Sequence, residues 1–269
     1  MNGSGMFFVH SMKCFLVGLV TAIICLAVPV PVRAFTATAK DITVSAAISL
    51  KNAFEEIGKV YESRYDTTCV FNFGASGDLV KQIAGGAPVD VFASAAQKDM
   101  DEADKMGLII TTTRADFAAN SVVLIAPVAS KASLKTFEDL SAAQIRKIAV
   151  GNPKTVPAGR YAEEVLGHFN ILSALKDKLI YAENVRQVLD YVARDEVDAG
   201  VVYATDAAIR SKEIKIIATA PAGSHKTVIY PIAVVKGTKS EFGAKAFISL
   251  VLSQEGRAIL QKHGFKSGN

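Results

Sequence analysis

Residues 42–65 run Ile42-Thr43-Val44-Ser45-Ala46-Ala47-Ile48-Ser49-Leu50-Lys51-Asn52-Ala53-Phe54-Glu55-Glu56-Ile57-Gly58-Lys59-Val60-Tyr61-Glu62-Ser63-Arg64-Tyr65. The opening six residues form a short, largely apolar run of strand character. Leu50, Phe54, Ile57 and Tyr61 then recur at helical spacing, which predicts a helix from about Ser49 to Arg64 on one apolar face. A strand passing directly into an amphipathic helix is the first half of a βαβ unit.

The alternation continues along the chain. Cys69–Phe73 predicts a strand, Gly77–Ala84 a helix closed by Gly85-Gly86, Val89–Ala93 a strand, and Gln97–Lys105 a helix stopped by Gly107. Asn120 opens a fresh apolar strand through Ala126. A second series follows: strand Ile148–Val150, helix Ala158–Phe169, strand Leu179–Tyr181, helix Val185–Arg194, strand Ala199–Tyr203 and a short helix near Asp206–Arg210. Ile229–Val235 is again a strand, and Lys239–His263 is helical with a break near Ser253. The economical reading is α/β with parallel sheets in two lobes. Lobe 1 is residues 40–120 plus 232–269, lobe 2 is residues 121–231, and the chain crosses between them twice.

The first 39 residues stand apart. Lys13 precedes an uncharged apolar run from Cys14 to Val28, and Pro29 and Pro31 lead to cleavage options after Ala34 or Ala39, the pattern of a secretory signal peptide. A membrane span is opposed by the shortness of the run, and a lipid anchor at Cys25 by the bulk of Ile24. The whole chain has 269 residues, with 30 Lys+Arg against 26 Asp+Glu. Losing Lys13 and Arg33 with the leader leaves 28 basic residues, so the exported body is almost neutral and carries no nucleic-acid-binding charge. Cys69 is then the lone cysteine, so no internal disulfide can form in the body.

In α/β sheets, ligands bind beyond the carboxyl ends of strands, where helix N-termini present unpaired N–H groups. Five such junctions share one composition: Ala47-Ile48-Ser49, Gly74-Ala75-Ser76-Gly77, Val156-Pro157-Ala158-Gly159, Glu183-Asn184-Val185 and Val202-Tyr203-Ala204-Thr205. They are small or hydroxylic, and nearly free of charge. Taken singly, a Ser or Asn there is explained as an N-cap and a Gly or Pro as a turn former. Taken together, they offer hydroxyl and N–H at Ser49 and Ser76, N–H at Ala158 and Val185, and the Tyr203 hydroxyl, a set of neutral donors suited to a small oxyanion.

Other chemistries lack their residues. The body's His168, His225 and His263 have no metal-ligand spacing, and nucleotide-binding glycine motifs are absent. Gly74-Ala75-Ser76-Gly77 has Asp78 where a nucleophile elbow requires Gly, which disfavours a secreted serine hydrolase using Ser76. The protein is therefore expected to be a binder without enzymatic activity or cofactor, and with no direct metal ligands.

At these junctions the chain resembles the periplasmic molybdate-binding proteins of ATP-driven uptake systems. The resemblance runs from Ile42–Leu50 through Gly86-Ala87-Pro88-Val89-Asp90-Val91-Phe92-Ala93-Ser94-Ala95, Val150-Gly151-Asn152-Pro153 with Val156–Gly159, Ala182-Glu183-Asn184-Val185-Arg186 and Gly200–Ala207 to Lys262-His263-Gly264-Phe265. It implies a type II periplasmic binding protein, two α/β lobes joined by a two-crossover hinge with the ligand in the cleft. By the same resemblance Ser49, Ser76, Ala158, Val185 and Tyr203 would hold molybdate or tungstate, the metal being bound as its oxyanion. The partners implied are that anion and an inner-membrane ABC permease with its cytoplasmic ATPase; a periplasmic monomer is expected. Asp78 leaves open a receptor for another oxyanion, sulfate or a protonated phosphate, since a carboxylate in the site could accept the anion's proton. Lys154, Arg160 and Arg186 are candidates for rim charges or for ordinary solvated residues.

Overall fold

The computed structural model describes residues 41–268; the leader and its cleavage site lie outside the described residues. Strand β1 (Ile42–Ala47) ends in a single 3-10 turn, Ile48–Leu50, before helix α1 (Lys51–Tyr65) begins. Ser49 therefore sits in that turn, ahead of the helix proper. Phe54, Ile57 and Tyr61 are fully buried, as the helical spacing predicts, and α1 stops at Asp66 in the left-handed conformation. Next come β2 (Cys69–Gly74), α2 (Ser76–Ala84), β3 (Val91–Ala93), α3 (Gln97–Lys105) and β4 (Ala115–Asn120).

The chain then enters a second sheet with β5 (Val122–Pro127), β6 (Ile148–Gly151), α4 (Pro157–His168), the short α5 (Leu172–Leu175), β7 (Leu179–Ala182), α6 (Val185–Ala193), β8 (Ala199–Tyr203), α7 (Ala204–Ile209) and β9 (Ile214–Thr219). It returns to the first sheet through β10 (Val228–Val234), then α8 (Glu241–Leu252), α9 (Gln254–Lys262) and β11 (Lys266–Ser267). The helical break falls at Ser253, whose hydroxyl oxygen caps α9 by accepting from the Gly256 N–H.

The first sheet has the order β11-β4-β10-β3-β1-β2 and the second β7-β6-β8-β5-β9. Both are mixed, which corrects the all-parallel expectation. β1 pairs parallel with β2 and β3, and β6 with β7 and β8, but β10 runs antiparallel to β3 and β4, and β5 antiparallel to β8 and β9. A strand entering from the other lobe without a crossover helix of its own is free to run against its neighbours.

The apolar run from Asn120 to Ala126 also divides. Asn120 pairs with Val228 in the first sheet, whereas Val122 pairs with Tyr203 in the second, so the chain changes sheet at Ser121. The return takes place between Thr219 and Val228, and β10 is already paired in the first sheet ahead of the Ile232 boundary drawn from sequence. Apolar contacts run continuously through both sheets, with Phe54, Phe71, Phe117 and Phe247 packed ring to ring beneath the first. Each fully buried Phe, Leu or Ile side chain contributes about 1.5–3 kcal/mol relative to exposure. The junctions are thus carried on a rigid base.

Candidate functional site

Five predicted residues separated widely in the chain meet in one place. Ser49, Ser76, Ala158, Val185 and Tyr203 all line one small cavity, together with Ala47, Gly74, Ala95 and Pro157. All five are buried. Ser49 and Ser76 come from the ends of β1 and β2 in the first sheet. Ala158, Val185 and Tyr203 come from the ends of β6, β7 and β8 in the second. Among the described residues no Lys, Arg, Asp or Glu lines the cavity.

The helix starts around it are of an unusual kind. Capping positions Ala47, Ala75 and Val156 have no side chain able to satisfy the first-turn N–H groups, and no side-chain cap bond forms there. Only α6 is capped in the ordinary way, with the Asn184 oxygen accepting from Gln187 N–H at 3.0 Å, as one expects of an Asn N-cap. The two serines, which are favoured capping residues, do not cap either. Ser76 Oγ accepts from the Ala95 N–H at 3.0 Å, and Ser49 Oγ lies 3.1 Å from the Tyr230 hydroxyl. A capping side chain is worth about 1 kcal/mol, and buried first-turn amides without one mark a site that another group must satisfy.

The Tyr203 hydroxyl donates to the Ala95 carbonyl at 3.4 Å, so it reaches across to the first lobe and is not free toward the cavity in this closed form. Burial raises its pKa well above that of free tyrosine, with Tyr230, Tyr161 and Asp206 adding to the effect, and it stays a neutral donor. Further bonds also join the lobes. Gly77 N–H donates to Thr155 O at 3.0 Å, and Arg186 Nη2 donates to Asn52 Oδ1 at 3.0 Å.

The cations near the cavity are engaged elsewhere. Arg160 of α4 pairs with buried Asp99 of α3, spanning the two lobes, and Arg186 pairs with Asp206 at the start of α7. Neither is the solvated residue that sequence reasoning allowed, because each partner carboxylate is buried and must be neutralised. Burial pushes Asp99 up to about 6 against the pull of Arg160, and burial likewise raises Asp206. Asp78 lies outside the cavity lining, half-exposed in the first turn of α2 and paired with Lys81 at 3.1 Å, where a carboxylate favours the helix dipole. Among the described residues there is no cluster of His, Cys, Asp and Glu able to hold a metal ion, and Cys69 is a buried free thiol.

Sequence reasoning missed Tyr230, Asn120 and Asp99. Tyr230 and Asn120 are buried members of strands, and no motif signals that a strand-interior Tyr will meet Ser49 across the fold.

A family model of bacterial extracellular solute-binding proteins matches residues 42–266. The chain belongs to that family. Solute-binding proteins hold and release their cargo and are not enzymes, in keeping with a Ser76 that serves a backbone amide and not an imidazole. This solute-binding protein is 40% identical to the molybdate-binding protein ModA of Escherichia coli K12, over 83% of its own length and 88% of that protein's. It is 36% identical to the molybdate-binding protein ModA of Haemophilus influenzae, over 87% and 92% of the two chains. The solved periplasmic molybdate-binding protein of Azotobacter vinelandii superposes with a TM-score of 0.74 at 25% identity, over 84% of this chain and 98% of that one. The solute-binding fold, two α/β lobes with the cavity between them, is shared along nearly the entire described chain.

Proposed function

We propose that this protein is an exported receptor for a tetrahedral oxyanion, molybdate or tungstate, held by Ser49, Ser76, Ala158, Val185 and the Tyr203 junction. It delivers the anion to an inner-membrane ABC permease driven by a cytoplasmic ATPase. The observation that carries the reading is the convergence of uncapped helix starts on one buried, uncharged cavity. A bare dianion moved out of water costs tens of kcal/mol in the Born limit. The offset has to come from oriented N–H and O–H dipoles at about 1.5–3 kcal/mol each, aided by helix dipoles aimed at the same point. The arginines that would otherwise supply charge are committed to Asp99 and Asp206. Close relatives that bind molybdate support the choice of guest.

Sulfate and phosphate differ from molybdate in size, and phosphate also in protonation, so the closed cavity discriminates on both counts. Asp78, the residue that would favour a protonated guest, faces solvent. Calorimetric titration with molybdate, tungstate, sulfate and phosphate tests the reading. Tight binding of the first two is expected, with a melting shift worth about 4 kcal/mol at thousand-fold excess over Kd. Binding of phosphate with none of molybdate would overturn it.

A further inference from the structure

Behind Ser49 lies a buried chain of polar side chains drawn from both lobes. Asn120, the last residue of β4, has its carbonyl oxygen taken by the Ser121 N–H at 2.8 Å. That fixes the orientation of the amide, so Nδ2 is the donor, at 2.8 Å to Thr205 Oγ1 and 3.2 Å to the Tyr230 hydroxyl. Asn120, Thr205, Tyr230 and Ser49 are all buried. A phenolic hydroxyl has one hydrogen to give. With Asn120 donating into its oxygen, the Tyr230 hydrogen has one hydrogen-bond partner to reach among the described residues, Ser49 Oγ at 3.1 Å. Asp206 is no competitor: its Oδ1 takes Arg186, and its Oδ2 makes no hydrogen bond.

We infer that Tyr230, oriented by Asn120, is a positioning residue that makes Ser49 an obligatory donor to the bound anion. Donation runs Asn120 to Tyr230 to Ser49 to guest. The opposite polarity would leave the Tyr230 O–H buried without an acceptor and turn a Ser49 lone pair toward a negative charge, two penalties on one rearrangement. Burial and the nearby Asp206 charge keep Tyr230 protonated, so the relay holds its direction at any physiological pH. Ser76 gains the same polarity by a different route, since its oxygen already accepts from Ala95 N–H.

The inference rests on the oxyanion reading, and a double-mutant cycle separates the two. Molybdate is titrated calorimetrically into the wild type, Tyr230→Phe, Ser49→Ala and the double variant, with melting curves of each free protein. Tyr230→Phe keeps the ring that packs edge-on against Phe117, Tyr203 and Phe265. It is expected to weaken molybdate about tenfold, an effect that vanishes once Ser49 is Ala. Thr205→Val removes the other partner of Asn120 while sparing the Tyr230 to Ser49 bond, and should leave the affinity within about threefold. A double variant that loses the product of the two single effects would overturn the inference, as would a Thr205→Val loss equal to that of Tyr230→Phe. A wild type that gives no molybdate heat at all would instead overturn the function proposed above.

Discussion

Gly77 offers a test in which affinity and stability move in opposite directions. It lies in the first turn of α2, and a Cβ placed on it would stand 2.9 Å from both the Cα and the carbonyl oxygen of Thr155. Thr155 belongs to the opposite lobe, and its carbonyl already accepts the Gly77 N–H. Backbone atoms cannot turn aside as a side chain can, so Gly77→Ala must hold the lobes apart by some tenths of an ångström. Overpacking of that kind costs typically 1–3 kcal/mol, here charged to closure alone because the clash exists only when the lobes meet. At 1.36 kcal/mol per decade the oxyanion Kd should rise about five- to 150-fold. Meanwhile the helix gains an alanine, worth up to about 1 kcal/mol, so the melting temperature of the free protein should hold or rise slightly. Calorimetry with molybdate and thermal melts without ligand read the two quantities separately. An unchanged Kd with a lowered melting temperature would refute the reasoning, since it would place the strain inside one lobe.

Two further outcomes follow from the ion pair between the lobes. Arg160→Ala should strand Asp99, which is almost fully buried; breaking such a pair costs about 3–5 kcal/mol, so oxyanion affinity should fall by two decades or more, while Asp99→Ala falls less because Arg160 retains a path to solvent. If Arg160 acted only by attracting the anion at long range, Asp99→Ala would tighten binding, and titration of both variants distinguishes these outcomes. The pH dependence has a defined sign: Asp99 is raised from 3.8 to about 6, so its contribution to stability is complete below about 3.8 and disappears as pH climbs through about 6. Denaturant unfolding at pH 4 and pH 7 should therefore show the wild type gaining about 2 kcal/mol over Asp99→Asn on acidification, and parallel curves would contradict it.

Local periodicity disclosed much of the architecture. The spacing of Leu50, Phe54, Ile57 and Tyr61 announces α1, and the break at Ser253 separates α8 from α9, because each signal lies within a few residues of its consequence. β4, with the run Ala115-Asp116-Phe117-Ala118-Ala119-Asn120, and β9, at Ile214–Thr219, were not legible. One is small and mixed in polarity, and the other is a half-exposed edge strand, so burial never imposed a clean alternation on either.

The sequence alone determined that this is an α/β protein whose strand-to-helix junctions are small and nearly free of charge, since composition and short-range patterning need no partner to be read. Only the tertiary structure decided that five of those junctions share one cavity, that Arg160 and Arg186 are tied to Asp99 and Asp206, and that Tyr230 stands behind Ser49. The physical reason is one of range. A helix is specified by neighbours three and four residues away, whereas Ser49 and Tyr230 are brought together by the packing of a whole sheet, and no residue type at either position announces the other.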